Sequence, residues 1–142
     1  MSKETVFARL SEFSMEKDQK GDLMMQIKKI AELLNAQVLC GEQLLNGVVN
    51  SAFGCDMMSD VLAFVKDQSV LLTGLCNPQV VRTAVMMDMK CIVFVRGKKP
   101  SEEVVRLADE SGIVVMATEE RMYAACGVLY VNGLPGGSVA NG

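Results

Sequence analysis

Histidine is absent from this 142-residue chain. That removes the commonest general base, the commonest transition-metal ligand and every Ser-His or Cys-His nucleophile pair. The five cysteines, Cys40, Cys55, Cys76, Cys91 and Cys126, are odd in number and include no C-x-x-C pair. They read as free, mostly buried thiols in a reducing compartment. Long apolar runs are also missing. None approaches the roughly 18 residues needed to cross a bilayer, and residues 1–21 are too mixed and charged for a secretory signal. No phosphate-binding P-loop is present: the motif is G-x-x-x-x-G-K-[ST], whereas Gly97-Lys98 is followed by Lys99 and Ile92 stands at the first glycine position. A net charge of −3 opposes general nucleic-acid binding. No repeat of fixed period is visible. Together these absences predict a cytoplasmic protein with no cofactor, metal, nucleic-acid partner or membrane span.

Half of the residues are hydrophobic and 22% are charged, a balance that supports a packed core and opposes disorder throughout. The length suits one domain. A mean hydropathy of +0.26 is high for so short a chain, because a small domain has limited interior volume. Some apolar surface is therefore expected outside the core; the plainer reading of the excess is a rich core, and the one favoured here is a homodimer interface. The eleven methionines sharpen that expectation. Met24-Met25, Met57-Met58 and Met86-Met87-Asp88-Met89 put methionines side by side, and two neighbours on a helix cannot both face inward. Part of each cluster should lie at the surface, where methionine adapts readily to a protein partner.

Residues 1–23 read as a flexible N-terminal extension. Val6, Phe7, Leu10 and Phe13 could line one face of a short helix, but residues 14–22 are polar and charged. The domain is expected over residues 24–133, with a flexible tail over 134–142. Ile27, Ile30, Ala31 and Leu34 recur at helical spacing. A strand follows at 37–40, an extended segment at 48–53 and a helix at 56–65. A regular alternation comes next. Residues 69–72 form an apolar strand, and Asn77-Pro78 starts a helix that runs to about Met89, Asn77 capping the free amides and Pro78 fitting the first turn. Residues 90–95 are a second strand, followed by a helix with Glu102 and Glu103 in its favourable first turn and Gly112 as its stop. Residues 113–117 are a third strand, and a last helix runs from Thr118 to about Tyr130. Such alternation with short connections requires parallel neighbours joined by crossover helices. Uniformly apolar strands agree, since both faces of such a sheet are covered. The expected fold is α/β, a three-layer helix–sheet–helix sandwich with a mostly parallel sheet.

From Ile27 to about Leu134 the chain resembles the DRTGG domain family. The resemblance rests on Cys55-Asp-Met-Met-Ser-Asp-Val-Leu62, Val81-Arg-Thr-Ala84, Ile92-Val-Phe-Val-Arg-Gly-Lys-Lys-Pro100 and Ala124-Ala-Cys-Gly-Val-Leu-Tyr130, in that order and spacing. The motif that names the family is poorly kept. The resemblance implies a three-layer fold similar to the N-terminal domain of HPr kinase. It also implies a regulatory or dimerising module, like those beside CBS-domain pairs in pyrophosphatases or ahead of phosphotransacetylase domains. The kinase activity of HPr kinase does not carry over, because its P-loop domain has no counterpart here.

Open parallel sheets bind ligands outside the strand C-terminal ends. The loops expected there supply Thr73, Gly74 and Asn77, then Arg96, Gly97 and Lys98 with Lys99, then Thr118. Two of these loops lead into helix N-termini and one carries three cations, a combination suited to a phosphate or carboxylate. The plainer reading makes Gly74 and Gly97 turns, Asn77 a cap and the cations solvated. Asp56 and Asp60 fall on one face if their stretch is helical, and with Ser59 they form a second candidate contact for a ligand or partner. Their plainer role is capping and solvated charge. Cys76, just before a helix N-terminus, is the cysteine best placed for a lowered pKa; as a small buried hydrophobe it would be inert. The expected function is a non-catalytic regulatory or ligand-sensing homodimer. It would bind a small anionic ligand, with adenine nucleotides as one class, or a protein partner. The alternative is a small enzyme using Asp, Lys or Cys at the same edge.

Overall fold

The computed structural model describes residues 16–17, 23–65 and 68–137. Its centre is a five-stranded sheet in the order β3-β8-β7-β6-β5, formed by β3 (Gln37–Cys40), β5 (Ser51–Gly54), β6 (Ser69–Thr73), β7 (Cys91–Phe94) and β8 (Val114–Ala117). β5 to β8 run parallel, and β3 joins the edge antiparallel to β8. Every residue of β6, β7 and β8 is buried. That explains why these strands are continuous apolar runs rather than alternating ones: both faces of the sheet are covered.

Side-chain alternation divides the core into two layers. Val70, Leu72, Cys91, Val93, Val114 and Met116 point to one face, where they meet Ile27, Ile30 and Leu33 of α1 (Ile27–Leu33) and Ala125, Val128 and Leu129 of α5 (Met122–Val131). Leu71, Ile92, Phe94 and Val115 point to the other. There they meet Met58 and Val61 of α2 (Met58–Phe64), Val80, Val81 and Ala84 of α3 (Pro78–Met86), and Val104 and Ala108 of α4 (Glu102–Glu110). This is the three-layer, mostly parallel α/β sandwich that the sequence predicts. β5, β6, β7 and β8 are laid down in neighbour order, so the crossover helices α2, α3 and α4 share one face.

Several boundaries differ from expectation, each for a local reason. α3 ends at Met86 rather than near Met89, because Asp88 adopts φ +55 and the Met89 amide returns to the Ala84 carbonyl. α5 starts at Met122 rather than at Thr118, because the carbonyls of Thr118 and Glu120 accept from the amides of Gly97 and Arg96. α2 starts at Met58, leaving Asp56 outside the helix. The domain edges also move. β1 (Glu16–Lys17) pairs with β2 (Leu23–Gln26), which pairs with β4 (Val48–Val49), giving a small antiparallel sheet that includes part of the expected extension. At the other end Leu134 is fully buried and the Pro135 carbonyl accepts from the Ala52 amide on β5. The packed chain therefore continues past residue 133, because these two residues cover the sheet edge. The flexibility expected of residues 1–15, 18–22 and 138–142 lies outside the described residues.

The clusters Met57-Met58 and Met86-Met87-Asp88-Met89 contribute to both core and surface, while Met24 beside buried Met25 is half-buried. Met25, Met58 and Met89 are buried, while Met57 and Met86 are 60% and 72% exposed. No helix among the described residues is long and apolar enough to cross a membrane.

Candidate functional site

Parallel register brings the C-terminal ends of β5 to β8 to one edge. Gly54 pairs with Leu72, Thr73 with Phe94, and Phe94 with Ala117. The residues that follow these strand ends include Asp56, Gly74, Asn77, Arg96, Gly97, Lys98 and Thr118. The two candidate groups read separately from the sequence therefore share one edge, and they meet through a specific contact. The Asp56 carboxylate oxygen Oδ1 accepts from the Thr73 hydroxyl at 2.9 Å and from the Gly74 amide at 2.7 Å. The Thr73 hydroxyl oxygen in turn accepts from the Leu75 amide at 3.1 Å. Asp56 thus fastens the loop after β6 to the end of β5.

The loop after β7 lies across this one. Arg96 has a left-handed backbone, φ +63, stabilised by bonds from its amide to the Glu120 carbonyl at 2.8 Å and from the Gly97 amide to the Thr118 carbonyl at 3.0 Å. Its guanidinium rests against Gly74, where an added Cβ would stand 2.5 Å from Nη2 and 3.1 Å from Nε. The absence of a side chain at Gly74 thus makes room for Arg96. Gly97, at φ +69, is covered in the same way by Glu119, whose Oε2 would lie 2.6 Å from an added Cβ. Arg96 and Lys98 are otherwise exposed.

Thr73 and Thr118 are buried, and their hydroxyls are occupied within the fold. The Thr118 hydroxyl donates to the Leu34 carbonyl at 2.8 Å and accepts from the Glu120 amide at 3.2 Å. Both threonine hydroxyls thus shape the loops within the fold. Asn77 occupies the N-cap position of α3 and Pro78 follows in the first turn, but the Asn77 side chain makes no cap bond. Its Oδ1 is buried and lacks a hydrogen-bond partner. The i, i+4 pairing of Asp56 with Asp60 also fails, since only Ser59 and Asp60 lie in α2. Both of these are exposed.

Cys76 is half-buried among the loop charges. Burial pushes its thiol above the ordinary value and Asp56 adds to the rise, while Lys98 and Arg96 pull the other way. Burial wins, so this thiol lacks the lowered pKa of an activated nucleophile. Among the described residues, no group of three His, Cys, Asp or Glu side chains converges to hold a metal ion.

The strand order runs in one direction from β5 to β8, so no reversal within the parallel set opens a crevice of the usual doubly wound kind. Two concave places among the described residues adjoin β3, one where it meets β8 and one between it and α4. One, of about 110 Å³, is lined by residues including Gln37, Gly97, Lys99, Thr118 and Glu119. A wider groove of about 500 Å³ runs past Leu39, Cys40, Lys99, Pro100 and Arg106. Neither Glu119 beside Gly97 nor the bond from Asp56 to the neighbouring loop was foreseen. Asp56 carried a usable signal: it stands just after a strand whose parallel neighbour ends at Thr73.

Residues 29–130 match the sequence model of the DRTGG domain. The chain belongs to the DRTGG domain family. Its fold is similar to a crystal structure of the CBS and DRTGG domains of the regulatory region of Clostridium perfringens pyrophosphatase, complexed with the activator diadenosine tetraphosphate. That likeness has a TM-score of 0.65 at 17% sequence identity and covers 95% of this chain. The chain spans 58% of the length of that structure. No curated protein matches the sequence. At this identity the structural likeness establishes the DRTGG fold, and the chemistry must be argued from the residues.

Proposed function

We propose that this DRTGG protein is a non-catalytic, homodimeric regulatory module that senses a small anionic ligand, an adenine nucleotide being the class to test first. The ligand site is the edge formed by Gly74, Asn77, Arg96, Gly97 and Lys98, with Thr73, Thr118 and Asp56 as positioning residues. The observation that carries this reading is the contact of Arg96 with Gly74. A cation is held against a loop whose amide is already tied down by Asp56, and Lys98 stands near enough to influence the same Cys76 thiol. Preplaced cations and immobilised backbone suit an anion because little ordering remains to be done on binding. The pyrophosphatase region, described as complexed with a nucleotide activator, supports nucleotides as the first class. The raised Cys76 pKa disfavours a thiolate nucleophile at this edge.

A thermal-shift panel of adenine nucleotides and phosphorylated metabolites tests the site. A ligand that binds the folded state raises the melting temperature by mass action. The shift should shrink as salt rises and disappear in Arg96→Ala with Lys98→Ala. Asp56→Ala should weaken it through loosening of the Gly74 loop, and should cost about 1 kcal/mol of stability in urea unfolding. A panel without any shift would defeat the anion site. A second reading, a protein partner docked at Ser59 and Asp60, is favoured by the exposure of Met57 and Phe64 on the same segment. In that case affinity capture would depend on Met57 and Phe64 and be indifferent to Arg96.

A further inference from the structure

Helix α5 is apolar on every side: Met122–Val131 reads Met-Tyr-Ala-Ala-Cys-Gly-Val-Leu-Tyr-Val, without a charge. A helix of this kind is ordinarily buried all round. Ala125, Val128 and Leu129 do fill the core, yet Tyr123 is 92%, Tyr130 70% and Val131 47% exposed. These side chains and Gly127 lie at i, i+4, i+7 and i+8, a single stripe facing away from the sheet. A Cβ on Gly127 would meet nothing within 4 Å, so another backbone can approach the middle of the stripe closely.

We propose that this stripe is the contact between two copies of the chain, α5 packing antiparallel against its two-fold mate across Gly127. The proposal rests on the homodimer reading above and assigns it a surface. Self-complementarity favours a second copy over an unrelated partner. An axis at Gly127 brings Tyr123 of one protomer against Tyr130 and Val131 of the other, as an isologous interface requires. Charge agrees. α5 has no acidic residue in its first turn and no basic residue in its last. In an antiparallel pair the exposed Arg121 at its N-cap faces the C-terminal carbonyls of the other helix, where a cation is stabilised. α1, which packs beside α5, contributes exposed Lys28 and Glu32, a rim of both signs that does not repel its own copy. Two tyrosines offering roughly 150–250 Å² each supply a large part of the roughly 800 Å² per partner of a standard interface. Val131, Ala124 and the α1 rim adjoin them.

Light scattering after size exclusion on the full chain tests the assignment. Wild type should be a dimer at micromolar concentration. Tyr123→Glu and Tyr130→Glu should each give a folded monomer, with unchanged circular dichroism, because both side chains are exposed. Met86→Glu, on the opposite helical layer, should remain dimeric. Tyr123→Lys mixed with Tyr130→Glu should recover a heterodimer, since the antiparallel register puts these positions together. A monomeric wild type overturns the homodimer reading and this contact with it. A dimer that survives both glutamate substitutions overturns the α5 contact alone, and failure of the charge-swapped pair to associate overturns the antiparallel register.

Discussion

Cys91 shows how burial sets the behaviour of a single side chain. It is wholly buried among Val70, Val93 and Val114 in the layer beneath α1 and α5. Burial pushes its thiol far above the ordinary value near 9, and Cys40 adds to the rise. The folded state therefore favours the neutral thiol, and only the unfolded chain ionises readily. The resulting stabilisation is complete below the ordinary thiol pKa and is lost as pH rises above it toward the raised folded value. Urea unfolding should accordingly show an alkaline decline with a contribution from Cys91 approaching 1.4 kcal/mol per pH unit. Cys91→Ala should have a shallower decline. An unchanged slope in that variant would refute the assignment.

Helix starts in this fold are made in different ways, and the difference can be measured. At α4 the Ser101 side chain accepts from the Val104 amide at 3.4 Å, and Glu102 and Glu103 occupy the first turn. At α3 the Asn77 side chain makes no such bond, and Pro78 sets the first turn through its restricted φ. Ser101→Ala should therefore cost about 1 kcal/mol in thermal or urea unfolding, whereas Asn77→Ala should cost only a few tenths of that. If Asn77 serves the ligand edge instead, Asn77→Ala should lower ligand-induced stabilisation while leaving the unliganded melting temperature nearly unchanged. Equal losses of stability at the two positions would show that Asn77 caps its helix in solution.

Over the whole molecule, stability should be greatest at the sheet centre and least at β3. β6, β7 and β8 are buried throughout and hydrogen-bonded into the parallel sheet. β3 sits at the edge, and its register with β8 shifts between Val38 and Cys40, a bulge-like irregularity that weakens further pairing at that edge. Native-state hydrogen exchange should find the β7 amides opening only with global unfolding and the β3 amides opening at lower free energy. Exchange of β7 as fast as β3 would contradict this layering. The candidate edge inherits the rigidity of the centre, since its loops are tied by Asp56 and by the Arg96 and Gly97 amides.

Residue pattern alone was enough for the parallel core. The apolar runs at 69–72, 90–95 and 113–117, separated by helices with short connections, leave few ways to satisfy backbone hydrogen bonds while covering both sheet faces. It also located the loops that carry Gly74, Arg96 and Gly97, because local strand and helix signals determine where chains turn. The small β1-β2-β4 sheet was not legible, because pairing Met25 with Val49 depends on a meeting between distant segments rather than on local periodicity. Nor were the roles of Asp56, Thr118 and Glu119. Each depends on which loop lies beside it, and that neighbour is chosen only when the sheet assembles. The sequence by itself determined where the apolar layers and turns would fall. Tertiary structure decided which polar groups are consumed in holding the edge and which remain exposed, since hydrogen-bond partners far apart in the chain become known only after packing.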